Sequence, residues 1–193
     1  MIDVGRAVAA LEAGEVVAIP TDTVYGVAVC PDIESALRAV FRIKGRSRTK
    51  ALPVLGADME SLSSIARFDV RALQLAERHW PGPLTLVLPR APGFSADLGG
   101  DGTSVAVRVS DHPVALDVLS RTGPLAVTSA NRSGEAAAQS AGEVRRQLGA
   151  QVTVIVDAGR CTGRASAILS LVGAPRLLRP GELSETDLQI EMS

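Results

Sequence analysis

The chain has 193 residues, 46% of them hydrophobic, which is enough to bury a full core in one domain. With 21% charged residues and a formal net charge of -1 it is no polycation built to coat nucleic acid, so any basic surface must be local. Aromatics make up only 3%, too few for the stacking platforms of a single-stranded nucleic-acid binder, so the core must be Val, Leu, Ile and Ala.

The first dozen residues carry acidic groups and no apolar run behind a basic segment, so they are not a secretory signal. No stretch approaches the roughly 20 apolar residues of a membrane helix, and we expect a cytoplasmic protein with no membrane partner. Apolar spacing predicts a helix over 4–13 closed by Gly14, then short β-branched runs at 15–19 and 24–30 that read as strands. A second helix is expected over 33–44, closed by Gly45, followed by a strand at 52–55 and a helix over 69–79 that Pro81 cannot continue. Strands follow at 84–88 and 104–109, a helix at 112–121 closed by Gly123, a strand at 125–128 and a helix at 141–148 closed by Gly149. The last apolar runs, 152–156 and 168–172, complete a single α/β domain over 1–193: a twisted mixed β-sheet flanked by helices. The Gly/Pro-rich stretch 89–102 reads as a long mobile loop, either near a ligand or a plain connector, and the acidic tail 183–193 is expected to fray.

Three polar constellations stand at ends of these elements. Pro20-Thr21-Asp22-Thr23-Val24-Tyr25-Gly26 follows a strand, where open α/β sheets bind ligands, although a turn held by Asp and Thr side chains uses the same letters. Arg42, Lys44, Arg46, Arg48 and Lys50 place five cations in nine residues, and Gly45 stops the helix among them. Some of these side chains must therefore leave from a loop, which suits a triphosphate clamp; a tRNA-facing patch or a solvated helix end remain alternatives. Thr128-Ser129-Ala130-Asn131-Arg132-Ser133-Gly134 also follows a strand, and alternation allows Ser129 and Asn131 to point the same way toward a nucleotide. Arg108 shares a strand face with Ala106, and Arg179 sits between an apolar run and a turn; each is either a solvent-facing residue or a charge aimed into a pocket.

Absences narrow the chemistry. The sequence has neither a Gly-x-x-x-x-Gly-Lys-Ser/Thr phosphate loop nor a Gly-x-Gly-x-x-Gly after a strand, so an ATP site would not be of the common kinds. His79 and His112 stand beside no Ser or Cys motif, which lowers a triad hydrolase. Cys30 and Cys161 lie far apart with no ligand spacing, and read as buried thiols rather than a zinc site or disulfide. An adenylation that runs on positioning and charge neutralisation fits this inventory.

In order along the chain, Pro20-Thr-Asp-Thr-Val-Tyr-Gly26, Lys44-Gly-Arg46, Trp80-Pro-Gly-Pro-Leu-Thr85, Val105-Ala-Val-Arg108, Ser129-Ala-Asn131 and Arg179-Pro-Gly181 resemble the YrdC/Sua5 family of threonylcarbamoyl-AMP synthases, in the short bacterial form without the extra C-terminal domain. The resemblance runs from Gly14 to Gly181. It implies that L-threonine, bicarbonate and ATP, with Mg²⁺ carried on the ATP phosphates rather than by protein ligands, become threonylcarbamoyl-AMP and pyrophosphate. A separate transferase complex then modifies tRNA, and direct contact of this chain with tRNA stays open. Carried over by position, Thr23, Arg108, Ser129 and Ser166 form the threonine set and Lys44, Arg46, Lys50, Ser104, Asn131 and Arg179 the ATP set, with Lys44 and Arg46 catalytic and Tyr25 shaping the pocket.

The chain departs from the family pattern at Ala51 (commonly Pro), Ala167 (commonly Thr) and Leu55 (His in some members), so we expect a less rigid loop, a missing hydroxyl near the substrate and a lost or replaced threonine contact. Two rival readings persist: an RNA-binding module of tRNA or ribosome maturation, and a carbamoyl-adenylating domain that uses another acceptor.

Overall fold

The computed structural model describes residues 3–45 and 47–188. The chain runs α1 (Val4–Glu12), β1 (Val17–Ile19), β2 (Gly26–Val29), α2 (Glu34–Lys44), β3 (Val54–Gly56), α3 (Met59–Ser63), α4 (Val70–His79), β4 (Leu84–Pro89), β5 (Ser104–Val109), α5 (Pro113–Thr122), β6 (Leu125–Ser129), α6 (Ala141–Leu148), a single 3₁₀ turn (Gly149–Gln151), β7 (Val154–Ile155), β8 (Ala167–Ser170), β9 (Arg176–Arg179) and α7 (Glu185–Leu188). Among the described residues the strands form one nine-stranded mixed sheet, ordered β7-β1-β2-β6-β3-β5-β4-β8-β9.

Local chemistry explains the element ends. Helix α2 stops because Gly45 takes a left-handed φ of 57°, which a residue with a Cβ adopts only at a cost. Asp69 and Ser140 cap α4 and α6 by accepting backbone N–H groups of Ala72 and Glu143, and His112 caps α5 through Nδ1 rather than lying inside it. Helix α3 escaped the sequence reading although Asp58 and Ser61 form a reciprocal capping box, because its five residues are too short to show a period. Strand β9 matches the apolar run expected just before the turn at Arg179, and it pairs antiparallel with β8.

The sheet buries both faces, but unequally. On one side Leu37 and Val40 of α2, Leu75 of α4 and Val144 of α6 share a cluster with Val27, Val54, Leu86 and Val107. On the other, Leu11 of α1 and Leu119 of α5 close over Val17, Ile19, Ala28 and Leu125. Strand alternation divides β5 between the two: Val105, Val107 and Val109 enter the first cluster, which turns Ser104, Ala106 and Arg108 to the other face.

Two expectations change. The 89–102 stretch is anchored: Leu98 is fully buried, its carbonyl accepts from the Leu52 N–H at 2.8 Å, and the Arg48 carbonyl accepts from the Gly100 N–H at 2.8 Å. It acts as a connector that clasps residues 48–52. The tail does not fray at 183; Ser184 and Asp187 cap a short helix and Leu188 is buried in the larger cluster, while 189–193 lie outside the described residues.

Candidate active site

Helices α1 and α5 cover only part of their face, and the uncovered remainder, together with the ends of β2 and β6, lines a cavity of about 370 Å³. Register lays its floor. Leu55 on β3 pairs with Arg108 on β5, Val87 on β4 with Ala106, Thr85 with Ile168 on β8, and Ile168 with Arg179 on β9. Leu55, Arg108, Thr85, Ile168 and Arg179 thus form a row across the strands, and all line the cavity.

Arg108 is a buried charge held on every nitrogen. It is only 5% exposed, and its Nε donates to the Gly82 carbonyl at 2.9 Å, Nη1 to Thr23 Oγ1 at 3.2 Å and Nη2 to Asp22 Oδ2 at 2.5 Å. Burial pulls the guanidinium below the usual arginine range and Asp22 pulls it back, so it stays charged. Ser110 Oγ donates to the other Asp22 oxygen. Thr23 is positioned in turn by Thr21, whose Oγ1 lies 3.0 Å away and donates to the Val24 carbonyl at 2.6 Å. The turn reading and the ligand reading of this strand end therefore both hold: Thr21 and Asp22 build the turn, and Thr23 faces the cavity.

At the far end of the row, Ser166 Oγ lies 2.8 Å from Thr85 Oγ1, and exposed Arg179 donates Nη2 to the Ser166 carbonyl at 2.8 Å. Its guanidinium is lowered by burial first and by Arg108 second. Gly163 brings the 157–166 loop against the Thr21 to Thr23 wall: a Cβ there would stand 2.2 Å from the Asp22 carbonyl oxygen, so glycine is required.

The opposite wall belongs to β6 and α2. Buried Lys44 donates from Nζ to Asn131 Oδ1 at 2.6 Å and to the Ser129 carbonyl, and Ser129 Oγ donates to the same Asn131 oxygen at 2.6 Å. Asn131 spends Nδ2 on the carbonyls of Arg132 and Glu135. Ser129 and Asn131 line the cavity, while Lys44 stands directly behind them. Tyr25 is fully buried, its hydroxyl donating to the Gly159 carbonyl at 2.8 Å, and burial raises its phenol so that it remains neutral.

The structure therefore gathers Thr23, Tyr25, Arg108, Ser129, Asn131, Ser166 and Arg179 around one cavity, with Lys44 in contact with two of them. Ser104 lies on the Arg108 face but outside the lining, Lys50 is exposed and also outside it, and Arg46 lies outside the described residues. Ala51 and Leu55 do line the cavity. Ala167 is different: fully buried in the opposite cluster, it faces the core, so a hydroxyl there would not reach a ligand. Thr85 and Glu135 also line the cavity; the sequence signalled the first only through the Trp80 to Thr85 motif, with no role attached, and the second not at all.

The family model described as Telomere recombination, of the Sua5/YciO/YrdC type, matches residues 9–181. The threonylcarbamoyl-AMP synthase of Chromohalobacter salexigens is 38% identical over 179 residues, covering 91% of this chain and 96% of that one. That of Vibrio vulnificus is 39% identical over 155 residues, covering 78% and 83%. Sua5 of P. abyssi, solved with L-threonine, aligns with a TM-score of 0.92 at 35% identity; the alignment covers 96% of this chain and 56% of that chain.

Proposed function

The chain belongs to the Sua5/YciO/YrdC family, and from that membership and its cavity we propose that it makes threonylcarbamoyl-AMP from L-threonine, bicarbonate and ATP, releasing pyrophosphate, as the first step of threonylcarbamoyladenosine formation in tRNA. The observation that carries this reading is the joining of four polar segments, distant in sequence, around one cavity: 21–26, 106–108, 128–131 and 166–179. The chemistry needs no protein nucleophile.

The neutral threonine amine attacks the carbon of bicarbonate, from which a C–O bond breaks and water leaves, or of carbon dioxide derived from it, with loss of the amine proton to solvent, giving a carbamate. A carbamate oxygen then attacks the α-phosphorus of ATP, the α–β phosphoanhydride bond breaks, and pyrophosphate leaves. In this scheme Arg108, with Thr23, Ser129 and Ser166, holds the amino acid, and Asn131 and Arg179 hold the nucleotide. Lys44 and Arg46 offset the negative charge that grows on the phosphates. Mg²⁺ would arrive with ATP: Glu135 is the one carboxylate in the described lining, which is no all-protein cage, so the ion would be held by the ATP phosphates and water, with Glu135 as the protein group within the lining able to join them. Bound there, the ion would neutralise the leaving pyrophosphate. A separate transferase complex takes the product to tRNA.

The test is to incubate purified protein with ATP, Mg²⁺, bicarbonate and each amino acid in turn and to follow pyrophosphate. Stimulation by threonine alone is the expected result. Equal stimulation by several amino acids would overturn the substrate, and activity that needs carbamoyl phosphate instead of bicarbonate would favour a carbamoyl-adenylating domain with another acceptor.

A further inference from the structure

We infer that Asp22 is a positioning residue that sets the affinity for the amino-acid substrate by holding the Arg108 guanidinium in place, an inference that rests on the function proposed above. Asp22 itself does not line the cavity, whereas Arg108 and Thr23, on either side of it, do. Its carboxylate divides its two oxygens between partners on β5 and just past its end: Oδ2 accepts from Arg108 Nη2 at 2.5 Å, and Oδ1 accepts from Ser110 Oγ. Ser110 is fully buried and its oxygen also lies 3.4 Å from the Asp22 N–H, so the carboxylate is fixed by its own strand end and by the end of β5 together. The side chains of Arg108 and Asp22 are only 7% and 14% exposed, which leaves little water to share the charge.

The geometry assigns each guanidinium nitrogen a direction. Nε is taken by Gly82, one N–H of Nη1 by Thr23 and one of Nη2 by Asp22. A planar fork has five N–H groups, so a second N–H on each terminal nitrogen remains directed by these three contacts. A carboxylate ligand of the cavity is recognised by such a fork only when its plane is held within a few tens of degrees. Removing the Asp22 charge frees that plane to rotate about the Gly82 contact without removing any group that touches substrate. Asn131, on the nucleotide side of the cavity, is held by a different set of partners: Lys44, Ser129 and the carbonyls of Arg132 and Glu135.

The experiment is steady-state pyrophosphate release over a matrix of threonine and ATP concentrations for the native chain, Asp22→Asn and Ser110→Ala. Asp22→Asn is expected to raise KM for threonine by about 10- to 100-fold, while KM for ATP and kcat stay within about threefold. Ser110→Ala, which frees one carboxylate oxygen but leaves the charge, should raise the threonine KM by about threefold and nothing else. Equal rises for threonine and ATP, or a threonine KM that does not move in either variant, would overturn the inference. If the asparagine variant does not fold, Ser110→Ala alone decides by the same split. A native chain that threonine fails to stimulate sinks the proposed function together with this inference, whereas a responsive native chain with silent variants sinks the inference alone.

Discussion

One face of one sheet serves two ends. Under α1 and α5, Val17, Ile19, Ala28 and Leu125 are buried in apolar contact; farther along the same face, Leu55, Ala106, Thr85, Arg108 and Ile168 look into a cavity. The strands alternate in the same way in both halves. What differs is helical cover, and where cover stops the inward-facing positions hold hydroxyls and guanidinium groups anchored by one another. A buried arginine is tolerable there because three protein acceptors meet it, as an isolated charge would not be.

The largest effect should come from breaking the open half at its charge. Arg108→Ala strands Asp22 in a nearly closed site and is expected to cost about 3 kcal/mol of stability, as loss of one member of a buried pair does, and to abolish threonine-dependent pyrophosphate release. Urea unfolding and the assay read the two losses separately. Breaking the covered half should do the opposite. Leu119→Ala, at a residue 1% exposed, is expected to cost roughly 2–4 kcal/mol by leaving a void under α5, with activity per folded molecule unchanged.

A sharper comparison makes the open half resemble the covered one. Ala106→Leu fills the floor between Arg108 and Ser104; stability should hold or rise by up to about 2 kcal/mol, while threonine-dependent release falls by about 100-fold. Loss of stability with activity intact would mean that the floor is core and not site.

The smallest effect is on pH. Burial lowers the pKa of His112, against the opposing pull of Asp22 and Asp111, and burial followed by Arg78 lowers that of His79. Both are kept neutral by the fold, so the unfolded chain binds their protons more readily. Stability is then whole above the ordinary histidine value of about 6.5 and declines as pH falls below it toward the lowered values. Protonating His112 also removes the Nδ1 acceptor that caps α5, which loosens the covered half. The midpoint of thermal unfolding should fall from about pH 7.5 to about pH 5.5, and His112→Asn, which still caps, should flatten the slope.

Much of this was readable in the chain. Gly14, Gly45, Gly123 and Gly149 mark helix ends to within a residue or two, and strict alternation placed Ala106 and Arg108 on one face. The polar strand ends were also legible as places where hydroxyl, amide and carboxylate groups bunch after an apolar run, although turn and ligand readings share the same letters there. Contacts across many residues were not. Asp22 and Arg108 stand 86 residues apart and Thr85 and Ser166 81 apart, and nothing local announces either pair. Lys44 read as a cation free to reach phosphate; it also braces Ser129 and Asn131, a role visible only once α2 lies beside β6.

By itself, the sequence determined where the longer helices end and which residue types stand at the tips of most elements, since these follow from backbone preferences and side-chain period within a few residues. Only the tertiary structure decided that β6 enters between β2 and β3, that Ala167 faces the core, and that α1 and α5 leave part of one sheet face uncovered. Strand order and helix cover arise from burying apolar surface between segments far apart in the chain, and no local pattern encodes which neighbour each will meet.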